Sequence, residues 1–202
     1  MYNQLFDYTK ESMKKLKKLI LLLPLLLTSC NFKTGLVNRM YNKVSNISTF
    51  SVFIQSISDT STVVSLYERD NSYYHESATS NNKELDYNYL RDLSTNQTYS
   101  FDESINKYVK NDEGKNKTYL YEVFSLYSLD KIISSQTFSL SSENTYKSDT
   151  NLKISNSEVT DLTITLFDEK ISTICYKLVG TTTIAYNIEI SYDKELSFDI
   201  EG

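Results

Sequence analysis

Val159-Thr-Asp-Leu-Thr-Ile-Thr-Leu-Phe167, Ile171-Ser-Thr-Ile-Cys-Tyr-Lys-Leu-Val179 and Thr182-Thr-Ile-Ala-Tyr-Asn-Ile-Glu-Ile-Ser-Tyr192 are the runs that decide the fold. β-Branched and aromatic residues fill them, and such side chains suit a pleated, half-buried surface. Asp168-Glu-Lys170 and Gly180-Thr181 separate the runs, so the three read as an antiparallel meander. In the last run Ile184, Tyr186, Ile188, Ile190 and Tyr192 share one face, and Asn187, Glu189 and Ser191 share the other. Side chains alternate along a strand, so this pattern describes a sheet with one buried face and one wet face.

The same character recurs upstream. Phe50-Ser-Val-Phe-Ile-Gln-Ser-Ile57 reads as a strand with apolar side chains on both faces. Asp59-Thr-Ser61 turns it into a second strand, Thr62 to Tyr67. Tyr73–Ala78 and Leu85–Leu90 follow, divided by Ser80-Asn-Asn-Lys83. Gln97–Phe101 and Ile105–Lys110 pair around Asp102-Glu-Ser104, and Asn111-Asp-Glu-Gly-Lys115 is a further turn. Ser139 to Ser148 is polar and reads as a loop or a weak edge strand. The chain holds four glycines, and its one proline is Pro24. Its turns must therefore rest on Asn, Asp and Ser, which tolerate turn geometry.

Two stretches carry helical rather than strand spacing. Leu36, Val37, Met40, Tyr41 and Val44 predict an amphipathic helix over Leu36 to Asn46. Its polar face is not strongly basic, so its apolar stripe is expected on the sheet rather than on a membrane. Leu120, Val123, Phe124, Leu126, Tyr127, Leu129 and Ile133 predict one helix within Thr118 to Ser134. The class is therefore α+β. The expected architecture is a single domain over residues 36–202, a curved, half-barrel-like antiparallel sheet with an N-terminal helix and an inserted helix packed on it.

The N-terminal region reads as an address. Lys14, Lys15, Lys17 and Lys18 precede the apolar run Leu19 to Leu27, and Thr28, Ser29 and Cys30 follow. Charged, apolar and small, in that order, is a secretory signal. The run is half of the ~18 apolar residues that would suggest a spanning helix. Leu27-Thr-Ser-Cys30 resembles the lipobox of bacterial lipoproteins. That resemblance implies a diacylglycerol on the Cys30 thiol, cleavage before Cys30, and an anchor of acyl chains in the outer face of the cell membrane. Two chains anchor stably where one is marginal. Residues 13–29 are then a signal peptide and 30–35 a lipidated tether. Asp7 and Glu11 are out of place in a positive n-region, so residues 1–12 are expected to be a mis-called extension ahead of a start at Met13.

Cleavage before Cys30 removes five lysines and two acidic residues, taking the net charge from −5 to −8. An acidic surface argues against nucleic acid and against electrostatic docking to anionic lipid. It also consumes one of two cysteines, so Cys175 has no partner for an intramolecular disulfide. Cys175 lies in a strand-like run without a nearby histidine and reads as a small buried residue rather than a reactive thiol.

Chemistry is sparse. His75 is the only histidine, which removes His-containing zinc clusters and leaves no second histidine for a Cys-His pair. Among tyrosines and serines it reads as a solvated surface residue. Asp102, Ser104, Asn106 and Glu113 match four positions of a calcium loop, but Lys107 stands where the turn needs glycine, and Lys110 repels a cation. A hairpin with an acidic turn is the better reading. Asp102-Glu103, Asp112-Glu113 and Asp168-Glu169 are adjacent carboxylates in turns, where nothing fixes them across a substrate. No catalytic set, metal site or cofactor motif is visible, so the expectation is a non-enzymatic protein without a cofactor.

Asn42-Lys-Val-Ser-Asn-Ile-Ser-Thr-Phe-Ser-Val-Phe-Ile-Gln55 resembles the opening of the lipoprotein-carrier (LolA-type) fold, a first helix running into a strand. Leu162-Thr-Ile-Thr-Leu-Phe-Asp-Glu-Lys-Ile-Ser-Thr-Ile174 and Tyr186-Asn-Ile-Glu-Ile190 are similar to its closing strands. The resemblance implies a half-closed sheet with helices as a lid over an apolar cavity that holds acyl chains. It transfers no individual binding residue. The expected function is a membrane-anchored ligand-binding domain, with lipid or another apolar small molecule between sheet and helices. The alternative is an adhesin or envelope-interaction module with a filled core.

Overall fold

In a computed structural model, residues 35–44, 46–81, 83, 86–111 and 119–201 are described. The expected lipobox Leu27, Thr28, Ser29 and Cys30, the expected signal peptide, residues 1–12 and the Asp112-Glu113 pair lie outside them.

The C-terminal meander is β10 (Ser157–Phe167), β11 (Lys170–Val179) and β12 (Thr183–Tyr192). Upstream lie β1 (Phe50–Ile57), β2 (Thr62–Arg69), β3 (Tyr73–Ser80), β4 (Tyr87–Asp92), β5 (Thr98–Asp102) and β6 (Lys107–Asn111). β7 (Phe138–Ser142), β8 (Thr145–Ser148) and β9 (Leu152–Ile154) complete the set. The polar stretch after residue 138 is thus the β7–β8 hairpin, placed at one edge. The twelve strands among the described residues form one sheet in the order β6-β5-β4-β3-β2-β1-β12-β11-β10-β8-β7, with β9 beside β10. The named strand pairs are antiparallel, and β1 and β12 meet in the middle with Phe50 opposite Tyr192.

The turns use the residues expected of a glycine-poor chain. Asn96, Asn106, Asn144, Ser155, Asp168 and Asp193 all take positive φ. Asp168 and Glu169 are both left-handed, at φ 49° and 57°, and link Phe167 directly to Lys170. A two-residue hairpin with φ > 0 at both positions matches the twist of its strands. Glu169 carries a side chain that disfavours this conformation. Glu169→Gly is therefore expected to raise stability by about 0.5–1 kcal/mol in urea denaturation. An unchanged or lower midpoint would contradict that account.

Val159 and Leu162 are three residues apart, which breaks period two. A bulge resets the strand between Thr160 and Thr163, where Asp161 takes φ 53°. Val159, Leu162, Ile164 and Leu166 are all buried as a result. Bulges re-aim side chains in this way at the cost of one unpaired residue.

One apolar cluster holds the layers together. Helix α1 (residues 35–44) contributes Val37, Met40, Tyr41 and Val44. Its stripe lies on the protein's own core, as its weakly basic polar face suggested. Tyr41 stacks on Phe124 with ring centroids 5.4 Å apart. From the sheet come Phe50, Val52, Ile54, Ile164, Ile174, Ile188 and Ile190. β1 has a second apolar set, Phe53 and Ile57, on the opposite face, where they are exposed.

The helix expected within Thr118–Ser134 is two helices, α2 (Leu120–Leu126) and α3 (Leu129–Ser134). Leu120, Val123 and Phe124 are buried, and so are Leu129, Ile132 and Ile133. The second triad repeats the first at a spacing of nine. At 100° per residue, nine positions place the two triads on opposite sides of a straight helix. A left-handed residue, Ser128 at φ 55°, breaks the helix and returns both triads to the sheet. Leu126, counted in the predicted stripe, is exposed.

Candidate functional site

The two sheet faces carry different chemistry. On the helix face, the cross-strand row Tyr67, Glu76 and Tyr89 runs over β2, β3 and β4. The next row along is Ser65, Ala78 and Tyr87. Glu76 is 1 % exposed. Tyr74 donates its hydroxyl to Glu76 Oε2 at 2.7 Å. The Tyr87 phenol lies near Glu76 and Tyr67 and feels the Glu76 charge. From the α2–α3 break, Tyr127 brings its hydroxyl to 3.3 Å from that of Tyr67. Tyr127 meets Tyr67 and Tyr186 edge-on, and Tyr186 stacks on Tyr176 at 4.7 Å. Burial pushes the phenols of Tyr67, Tyr74, Tyr87 and Tyr127 well above the ordinary tyrosine range, and the Glu76 carboxylate adds to the shift. All four stay protonated at neutral pH, as neutral donors around one acidic group.

The helix layer does not cover this face evenly. Over β1 the helix-face residues Phe50, Val52 and Ile54 are buried. On β4, β5 and β6 the residues of that face, including Tyr87, Tyr89, Ser100 and Val109, are only half-buried. The tyrosines thus stand at the margin of the helix layer. Over β1 and β10 to β12 the space between sheet and helices is filled by Phe50, Phe124, Leu120, Ile164, Ile174 and their neighbours. A separate open cleft of about 480 Å³ lies between α1 and α3, with the polar lining Asn38, Asn42, Asp130, Lys131 and Ser134 beside Tyr41.

The opposite face carries His75. The solvated surface position expected of it is not what forms: His75 is 6 % exposed. The C-terminal segment after β12 covers it. Phe198 lies 5.2 Å from the imidazole and 5.4 Å from the Tyr108 ring, centroid to centroid. His75 Nδ1 is 3.1 Å from Glu68 Oε2, and Nε2 is 2.9 Å from Asn88 Oδ1. Tyr108 donates to the same Asn88 oxygen at 2.7 Å. Glu68 also accepts from Ser51 at 3.0 Å and from Lys194 at 2.5 Å. Burial pushes the Glu68 carboxyl up. The bonds from His75, Lys194 and Ser51 outweigh it and bring the carboxyl down to about 2. The Leu196 amide donates to Asp70 Oδ2 at 2.8 Å. Tyr108 and Ile200 form a parallel bridge at the outer edge of β6. Both ring nitrogens of His75 are engaged, so the Glu68–His75 pair clamps the C-terminal segment.

The other singled-out residues fall in turns and strands. Asp102 accepts from the Ser104 amide and hydroxyl at 2.9 and 2.6 Å, closing the β5–β6 hairpin. The fourth member of the calcium-like pattern, Glu113, lies outside the described residues. Cys175 is half-buried and donates to Asn187 Oδ1 at 3.2 Å. Burial raises its thiol above the ordinary value, which disfavours the nucleophilic thiolate. Sequence reasoning missed the Glu76 cluster, although Tyr67, Tyr74, Tyr87 and Tyr89 were visible in strand-like runs. No helix among the described residues is long and apolar enough to cross a membrane. The chain matches no protein-family model, and a search of curated proteins gives no match.

Proposed function

We propose that the chain is an exported bacterial lipoprotein, anchored on the outer face of the cell membrane through lipid on Cys30. Its domain binds a ligand without catalysing a reaction. The supporting observation is the half-buried group of tyrosines over Glu76 at the margin of the helix layer. Rings in that position offer apolar surface that a bound molecule would cover. The LolA-type likeness, with its half-barrel sheet and helical lid, supports lipid or another apolar small molecule as the ligand.

The core cluster runs from Val37 to Ile190, so the segment from Asn31 onward carries all of it and is the form to purify. Native mass spectrometry of that segment, expressed in bacteria, is expected to show a co-purifying small molecule. Its consistent absence, with no binding of a fluorescent fatty acid, would remove this reading. For the anchor, Cys30→Ser is expected to abolish palmitate labelling of the full chain; persistent labelling would refute it.

A second reading is an adhesin or envelope-interaction module. It is favoured by the filled core over β1 and β10–β12 and by the exposed Phe53, Ile57, Tyr121 and Phe167. Exposed apolar side chains that gather into a patch mark contact surfaces. Capture of an envelope component by a chain with no bound small molecule would favour it.

A further inference from the structure

We infer that the cluster of Tyr67, Tyr87 and Tyr127 over Glu76 holds an organic ammonium group. The inference rests on the binding reading above and names the chemistry that this part of the site selects.

Three observations converge. The first is charge. Among the described residues of the cluster the rings are neutral phenols and the one acidic group is Glu76, 1 % exposed. In a poorly solvated interior a carboxylate acts at longer range than in water, because water and salt do not screen it. The arginines in the adjacent row, Arg69 and Arg91, aim their guanidinium groups elsewhere, at the Ser48 carbonyl and at Asn96 Oδ1.

The second is ring geometry. Aromatic faces carry negative potential, and several rings set at angles to one another attract an organic cation. Tyr127 stands edge-on to Tyr67 at 76° and to Tyr186 at 75°, so the rings form angled walls rather than one stack. The phenol oxygens of Tyr67 and Tyr127, 3.3 Å apart, add partial negative charge beside them.

The third is access. Tyr87, Tyr89, Tyr127 and Tyr186 are half-buried, at the margin of the helix layer. A cation resting on these rings reaches the field of Glu76 without displacing the core. An apolar ligand of similar shape gains the ring contacts and lacks the charge term. The site should therefore separate a cation from its neutral isostere.

The test uses the segment from Asn31 onward, with choline chloride as the probe and 3,3-dimethyl-1-butanol as its uncharged isostere. Saturation-transfer NMR on the methyl signals reads binding. Choline is expected to bind at least tenfold more tightly than the alcohol, and Glu76→Gln is expected to cut that preference at least threefold, leaving the share that the ring faces supply. Equal binding of the two probes by the unaltered protein, or no binding of choline, overturns the inference whether or not the variant folds. So does a folded Glu76→Gln variant that keeps the preference undiminished.

Flotation with phosphatidylcholine vesicles, set against phosphatidylglycerol vesicles, then identifies the source of the group. Selective flotation released by choline assigns it to a lipid headgroup. Choline binding without flotation assigns it to a soluble amine. Fatty-acid binding without a preference for choline would retire this inference and leave the binding reading standing.

Discussion

Phe124→Ala is expected to destabilise the protein by about 3–5 kcal/mol, the usual range for truncating a fully buried phenylalanine. Phe124 has no exposed surface and joins three parts of the fold. It belongs to α2, stacks on Tyr41 of α1, and lies in the same cluster as the strand residues Ile164 and Ile188. Truncation leaves a cavity that side chains on rigid strands cannot fill, so the transfer and cavity terms add. Natural domains have roughly 5–15 kcal/mol of stability in all, so this one change removes a large share. Leu126, two residues away on the same helix, is 53 % exposed, and Leu126→Ala should move the urea midpoint little. If the two variants shifted the midpoint equally, the assigned orientation of α2 would be wrong.

The second large effect lies on the other face. Glu68 has a folded-state carboxyl value of about 2, against an ordinary 4.5. A group whose value is depressed by folding stabilises the protein above its unfolded value. That contribution is lost as pH falls through the window from 4.5 toward 2. The size is about 3 kcal/mol at neutral pH. Glu68→Gln is expected to remove most of it. Denaturation from pH 7 to pH 2.5 should show a steeper acid loss for the parent than for the variant. Hydrogen exchange adds a local readout. The Leu196 and Glu201 amides, which bond Asp70 and Tyr108, should lose protection in the variant while the Ile188 amide keeps it. Parallel acid curves for parent and variant would show that the clamp contributes nothing.

Local pattern carried much of the architecture. The run ending at Tyr192 states its period in its own residues, and β12 lies where that period puts it, whereas β10 keeps one buried face through its bulge. The glycine-poor turns are legible for the same reason, since φ > 0 is a local demand. The break at Ser128 was also present in the text, as two apolar triads nine residues apart, but a search for one broad stripe merges them. His75 is different in kind. Its partners lie 7 and 13 residues away on neighbouring strands, and its cover arrives from the far end of the chain. Polar networks assembled across strands leave no periodic trace. Glu76 is a similar case: Tyr74, Tyr67 and Tyr87 come from β3 and its two flanking strands, but Tyr127 arrives from the α2–α3 junction some way along the chain.

The pairing of β1 with β12 sets the order of events during synthesis. Phe50 and Tyr192 are partners separated by roughly 140 residues, a contact that closes slowly because the loop entropy must be met first. The central seam of the sheet cannot form until the last strand has left the ribosome. A chain with its seam between its first and last strands cannot complete its sheet during translation. Until then the β1 edge stays open, an unpaired strand edge that the completed sheet no longer exposes.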